Sequence, residues 1–284
     1  MKVTVLEPSG YCAGVERAMK IAIETKNNNP NSSVVVLGML VHNEESLIEL
    51  EKHHIKTIYK KNCSLEQLID EIKSPSIVIL TAHGHSKTVE EKLIKNGHQI
   101  VDATCPFVKN SFEEIKNSES IVFYIGVKNH PEAIAALSIS DNVIFIDAKN
   151  PQIPHVDIDS PLVISQTTLS KFEIDDISRG IKLCYPKAVF LNGICNASTN
   201  RQESLMNIEE DVDLIYIVGG SNSNNSKTLF NIANKLYPEK KVIQIQNVSQ
   251  INKKDLLGLS HIAISSGAST PKEVIKEIEN YLLD

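Results

Sequence analysis

The chain has no tryptophan, only 5% aromatic residues, and no Cys-x-x-Cys pair. The missing pair removes the local signature of a zinc ribbon or a thioredoxin-like dithiol. No apolar run approaches the ~18 residues of a membrane span, so no membrane association is expected. Positive charge is in deficit: 29 Lys and Arg face 35 Asp and Glu, a formal net charge of −6. No basic block interleaved with aromatics offsets it, which argues against nucleic acid as a partner. Met1-Lys-Val-Thr-Val-Leu enters a strand at once, so no signal or transit peptide is expected and the protein is read as cytoplasmic. The five cysteines, Cys12, Cys63, Cys105, Cys184 and Cys195, are odd in number and scattered. In such a chain they point to a reducing compartment, with metal or redox chemistry rather than disulfides.

What is present is a repeated grammar. With 284 residues, 42% of them hydrophobic, the chain can form two or three compact α/β units. Short all-apolar runs such as Val34–Leu37 and Ile77–Leu80 read as strands buried on both faces. Each ends in a polar, glycine-containing turn that opens a helix. Three units of about ninety residues emerge, spanning 12–104, 105–194 and 195–284. The last has only three strands of its own, and the N-terminal segment 1–11 supplies the fourth. Cys12, Cys105 and Cys195 fall at matching strand-to-helix junctions, where a thiolate is favoured by the helix N-terminus. Cys63 and Cys184 lack that context and are read as structural.

Parallel βα units present ligand-binding loops at the C-terminal ends of their strands. His42, His83, His130, Thr167, Ser223 and Ser269 all fall there. Three small sheets facing one centre would gather three cysteines, giving a pseudo-threefold body with a central site. Three thiolates can hold a cubane iron–sulfur cluster with one iron left open to substrate, or zinc with a fourth histidine. Three ordinary buried cysteines are a further reading. Ser221-Asn-Ser-Asn-Asn-Ser226, after Gly219-Gly220 and before a helix, suits either a diphosphate or a plain capped turn. Glu132, just after His130-Pro131, is either a proton donor raised in pKa by burial or a stabiliser of a helix start.

Several segments, in order along nearly the whole chain, resemble the LytB family of 4-hydroxy-3-methylbut-2-enyl diphosphate reductases. They are Gly10-Tyr-Cys12-Ala-Gly-Val-Glu-Arg-Ala, Leu40-Val-His42-Asn, Ala82-His83-Gly, Asp102-Ala-Thr-Cys105-Pro and His130-Pro-Glu132. Ser165-Gln-Thr-Thr168-Leu-Ser, Ile194-Cys195 through Asn200-Arg-Gln, the Ser221–Ser226 run and Gly267-Ala-Ser269-Thr-Pro complete the set. The resemblance implies an α/β trefoil of three domains around a [4Fe–4S] cluster held by Cys12, Cys105 and Cys195. It also implies Glu132 as proton source with Thr167 as relay. His42, His83, His130, Thr167, Thr168, Ser223, Asn224, Asn225 and Ser269 would bind an allylic diphosphate. Ferredoxin or flavodoxin would deliver electrons one at a time to a monomeric enzyme. The family pattern is broken at Val127, often histidine, at Asn192-Gly193, commonly Asp-Thr, and at Ser198, a threonine replacement. Asn224 also stands where the diphosphate run usually has a second serine.

Overall fold

The computed structural model describes residues 1–191 and 193–284. The chain begins with strand β1 (Lys2–Val5) and helix α1 (Ala13–Asn28). It continues through β2 (Val34–Leu37), α2 (Glu44–Lys52), β3 (Lys56–Ile58), α3 (Leu65–Leu68), β4 (Ile77–Leu80), α4 (Lys87–Lys95) and β5 (Gln99–Asp102). A second run holds α5 (Pro106–Asn117), β6 (Val122–Gly126), α6 (Pro131–Leu137), β7 (Val143–Asp147), β8 (Leu162–Ser165), α7 (Lys171–Cys184) and β9 (Val189–Phe190). The last run is α8 (Asn196–Leu205), β10 (Leu214–Val218), α9 (Asn224–Leu236), β11 (Lys241–Ile245), β12 (His261–Ser266) and α10 (Lys272–Leu283).

The fold is α/β with three four-stranded sheets, in the orders β1-β12-β10-β11, β3-β2-β4-β5 and β7-β6-β8-β9. Every strand pair is parallel. The N-terminal strand does complete the last sheet, pairing Val3 with Ile262 and Val5 with Ile264. Central strands β2, β4, β6, β10 and β12 are buried along their whole length, as parallel strands covered on both faces are; β12 also buries the polar residues His261, Ser265 and Ser266. Polar residues set the helix starts: Ser64 with Gln67 and Ser170 with Glu173 form capping boxes on α3 and α7. By compactness the described residues form two units. One holds Met1–Val15, His42–Ser46 and Asn196–Asp284, and therefore the last sheet; the other holds Glu16–Val41 and Leu47–Cys195, with the first and second sheets. No helix among the described residues is long and apolar enough to cross a membrane.

The sheets share one wiring. Each has an edge strand (β1, β5 or β9) that runs into a cysteine, beside a strand (β12, β4 or β8) and then a central partner (β10, β2 or β6). That alignment sorts the loops into matched sets.

Candidate active site

The three junction cysteines are anchored in the same way. The backbone N–H of Cys12 donates to Ala268 O at 2.9 Å, that of Cys105 to Ala82 O at 3.0 Å, and that of Cys195 to Thr167 O at 3.2 Å. Each acceptor lies two residues past the end of the neighbouring strand, β12, β4 or β8. A cysteine placed by this bond precedes α1, α5 or α8. None of the five cysteines is in a disulfide; the three junction residues are half-buried, whereas Cys63 and Cys184 are exposed and so pack no core.

His42, His83 and His130 all follow strands, as expected, but they do not occupy one equivalent position. Gly38 to His42, Gly126 to His130 and Gly219 to Ser223 each span four positions after a central strand, so His42 matches His130 and Ser223. His83 lies three residues past β4, matching Thr168 past β8 and Ser269 past β12. Two kinds of loop therefore supply the polar residues.

In the unit of the last sheet, Ser223 caps α9, its hydroxyl accepting the Ser226 N–H at 3.2 Å. Asn225 is buried and used at both ends: Oδ1 accepts Ala268 N–H at 2.9 Å and Nδ2 donates to Ser198 Oγ at 3.2 Å. The Ser198 hydroxyl therefore carries a defined contact despite the family's usual threonine. Ser269 Oγ lies 3.5 Å from the His42 carbonyl. Burial, with the Lys227 ammonium adding to it, pushes the His42 imidazole down to about 4. The ring is neutral at pH 7 and can donate without carrying charge. Asn224 is half-buried on the first turn of α9.

Arg201, 2% exposed, staples the Cys12 loop. Its guanidinium donates to Gly10 O at 2.6 Å, Ser266 O at 3.2 Å and Ala197 O at 3.0 Å. In the sequence Arg201 stands out only as part of a motif, because bonds to backbone carbonyls leave no trace in residue spacing. Arg201→Met fills the volume but removes the donor from the Gly10 and Ser266 carbonyls, at about 1–3 kcal/mol for each that stays buried, while the Ala197 carbonyl keeps its place in the α8 ladder. Thermal unfolding of the apo-protein should show a loss of at least ~2 kcal/mol, and Arg201→Lys should not restore it.

In the other unit, Glu132 is 1% exposed. Its Oε1 accepts the Thr167 N–H at 2.8 Å and the Tyr124 hydroxyl at 3.2 Å, while Oε2 meets Thr167 Oγ1 at 2.8 Å. Burial pushes the carboxyl up to about 7 despite these three contacts. His130 caps α6 by accepting the Glu132 N–H on Nδ1 at 3.2 Å, which puts the proton of its neutral ring on Nε2. The His83 ring stands edge-on to His130 at 5.6 Å. Thr167 joins the two functions: its carbonyl holds the Cys195 N–H, and its N–H and hydroxyl hold Glu132. The match between sheets extends here, since Asn225 takes the Ala268 N–H just as Glu132 takes the Thr167 N–H. One partner titrates and the other cannot.

The broken family positions have local reasons. A Cβ at Gly193 would overlap the Ser165 backbone, so the residue there must be glycine in this packing. The Val127 N–H donates to Gln166 Oε1 at 2.9 Å while its side chain packs against a core cluster with Phe123 and Ile125. Asn192 lies outside the described residues.

The model of the family described as LytB protein matches residues 3–283. The chain belongs to the LytB family. Among its relatives, the 4-hydroxy-3-methylbut-2-enyl diphosphate reductase of Malacoplasma penetrans is 36% identical over 282 residues, covering 95% of this chain and 93% of the relative. The reductase of that name from Bacillus cereus is 35% identical over 294 residues, covering 99% and 90%. A solved structure of the diphosphate reductase from Plasmodium falciparum superimposes with a TM-score of 0.87 at 26% identity, covering 100% of this chain and 88% of that one. Another, described as the terminal enzyme of the non-mevalonate pathway, gives 0.67 at 28% identity, covering 100% and 99%. The three parallel sheets of this LytB chain are thus shared with reductase structures across the full length.

Proposed function

We infer that the chain is a 4-hydroxy-3-methylbut-2-enyl diphosphate reductase, an oxidoreductase of the non-mevalonate isoprenoid pathway. The observation that carries this reading is the Cys195–Thr167–Glu132 linkage. It attaches a buried carboxyl, still protonated near neutral pH, to the loop of a junction cysteine.

Cys12, Cys105 and Cys195 are the residues that would hold a [4Fe–4S] cluster. Their matched backbone anchoring at the three strand-to-helix junctions supports a shared ligand role. Glu209, Asp211 and His261 form the sole group of three or more side chains among the described residues with ligand atoms within 4.8 Å; it includes no cysteine. When bound, a cluster with one iron not held by cysteine supplies Lewis acidity and a path for two electrons. A flavodoxin- or ferredoxin-type donor would provide these singly.

The protein's own residues then account for binding and for protons. Ser223 and Asn224 at the start of α9, with Asn225, Ser269 and neutral His42, would receive the diphosphate through neutral donors and the helix N-terminus. His83, His130 and Thr168 would complete the polar lining from the first and second sheets. Glu132 would give its proton to the departing hydroxyl oxygen, Thr167 Oγ1 passing it on. The balance is substrate plus two electrons and two protons to isopentenyl or dimethylallyl diphosphate plus water.

Anaerobic iron–sulfur reconstitution and an assay with reduced donor and substrate test the whole reading; neither a cluster spectrum nor turnover would sink it. A narrower test is Asn225→Asp. Oδ1 still accepts Ala268 N–H, but a carboxylate now faces the diphosphate, and KM should rise at least about tenfold with the fold intact. An unchanged KM would remove Asn225 from the diphosphate site.

A further inference from the structure

We propose that Tyr124 is a positioning residue for Glu132: its hydroxyl decides which carboxyl oxygen carries the acid proton and eases release of that proton. The inference rests on the reductase reading.

Tyr124 lies on β6, in register with Phe145 on β7 and Ile164 on β8. It is fully buried, and its cluster is otherwise apolar: Ile115, Val122, Ala133, Ala136 and Ile164. Phenylalanine would fill that space without a hydroxyl to satisfy. A buried phenol needs a partner, and this one donates to Glu132 Oε1 at 3.2 Å. Burial, then the Glu132 charge, holds the phenol well above its usual range, so it stays protonated and always donates.

The consequence lies in how the donors divide. Oε1 receives two, the Tyr124 O–H and the Thr167 N–H. An oxygen that already accepts twice is the poorer place for a third hydrogen, so the acid proton belongs on Oε2. That is the oxygen facing Thr167 Oγ1 at 2.8 Å, the route out. With Tyr124 removed, Oε1 keeps one donor and the preference between the oxygens weakens. Once the proton has left, the buried carboxylate has only neutral donors for support, and a hydrogen bond to an ionised acceptor is about twice as strong as a neutral one. The titratable groups around it are His130, the N-cap of α6, bonded through Nδ1 to the Glu132 N–H, and His83, edge-on to His130. The groups that shift the Glu132 pKa are Thr167 and Tyr124, both neutral, so the Tyr124 bond is not masked by a neighbouring charge.

Tyr124→Phe in the reconstituted holoenzyme should leave KM within about twofold and lower kcat about five- to tenfold, the effect of one hydrogen bond on a proton transfer. Losing a donor to the carboxylate raises its pKa. The alkaline fall in rate, where Glu132 loses its proton, should therefore move up by about half to one pH unit. The infrared C=O band of protonated Glu132, assigned by its disappearance in Glu132→Gln, should titrate higher by the same amount. Incorporation of 3-fluorotyrosine at position 124, a stronger donor of nearly the same shape, should move both in the opposite direction. A structural role alone predicts no such reversal. The inference is overturned if the band and the limb stay put in Tyr124→Phe, or if both replacements shift them the same way. The infrared titration does not require turnover, so an inactive wild type would count against the reductase reading while Tyr124 is still decided. If Tyr124→Phe does not fold, the fluorotyrosine protein alone gives the sign.

Discussion

Glu132→Gln should bind the diphosphate substrate within a few-fold of wild type and lose about 10²–10⁴-fold in kcat, the usual span for removing a general acid. Glutamine is nearly isosteric: its carbonyl can accept from Thr167 N–H and Tyr124, and its amide can donate to Thr167 Oγ1. The pocket survives and what disappears is the transferable proton. Single-turnover reduction beside equilibrium binding separates the two effects, and a kcat within threefold of wild type would remove Glu132 as the acid. The same variant has a stability signature of defined sign. In the native state burial raises the carboxyl from 4.5 to about 7. Between those values the unfolded chain has released its proton and the folded chain has not. Wild-type stability therefore falls as pH rises through that window, by on the order of 3 kcal/mol, while none is lost below pH ~4.5. Glu132→Gln lacks this slope, so denaturant midpoints of the two proteins should draw apart above pH 5 and run parallel above pH 8.

Cys105→Ser should lose cluster iron and all turnover, yet its apo-form should be more stable than wild-type apo-protein. Cys105 is the N-cap of α5, with extended backbone, Pro106 at the first helical position, and no side-chain cap hydrogen bond. Serine is among the best residues there and adds about 0.5–2 kcal/mol where the thiol adds no cap. Its hydroxyl is a poor replacement for a thiolate at an iron–sulfur cluster. Iron analysis and visible absorption after reconstitution read the first effect; chemical denaturation of the two apo-proteins reads the second. Full iron loading with normal turnover would show that Cys105 is no ligand. A destabilised apo-variant would show that the thiol is there for packing.

The sheets were legible from residue order because buried parallel strands are short apolar runs, and Val34–Leu37 and Ile77–Leu80 are such runs. The edge strand before Cys195 is only Val189–Phe190, shorter than the pattern Ala188–Leu191 suggests. Likewise the residue pattern from Leu65 to Lys73 suggests one helix, but α3 stops at Leu68 and tightens to a 3₁₀ turn over Ile69–Glu71. Terminal turns depend on what packs there rather than on local preference. Spacing alone already implied that Cys12, Cys105 and Cys195 hold equivalent junctions; that each follows an edge strand, and is anchored to the neighbouring strand's loop, needs the strand order of the folded sheets.

Sequence by itself therefore determined the three sheets, the strand borrowed from the N-terminus, the three junction cysteines and the family, since these follow from local pattern and order along the chain. Only the tertiary structure decided the protonation of Glu132. A helix start favours the carboxylate and burial opposes it, and no reading of residues 130–132 can weigh the two. The weighing needs the neighbours that burial brings: Tyr124 from β6 and Thr167 from the loop after β8. Pairing of His42 with His130 rather than His83 was settled the same way, by which strand each loop leaves. Desolvation and strand order are properties of the folded chain, and distant residues set both.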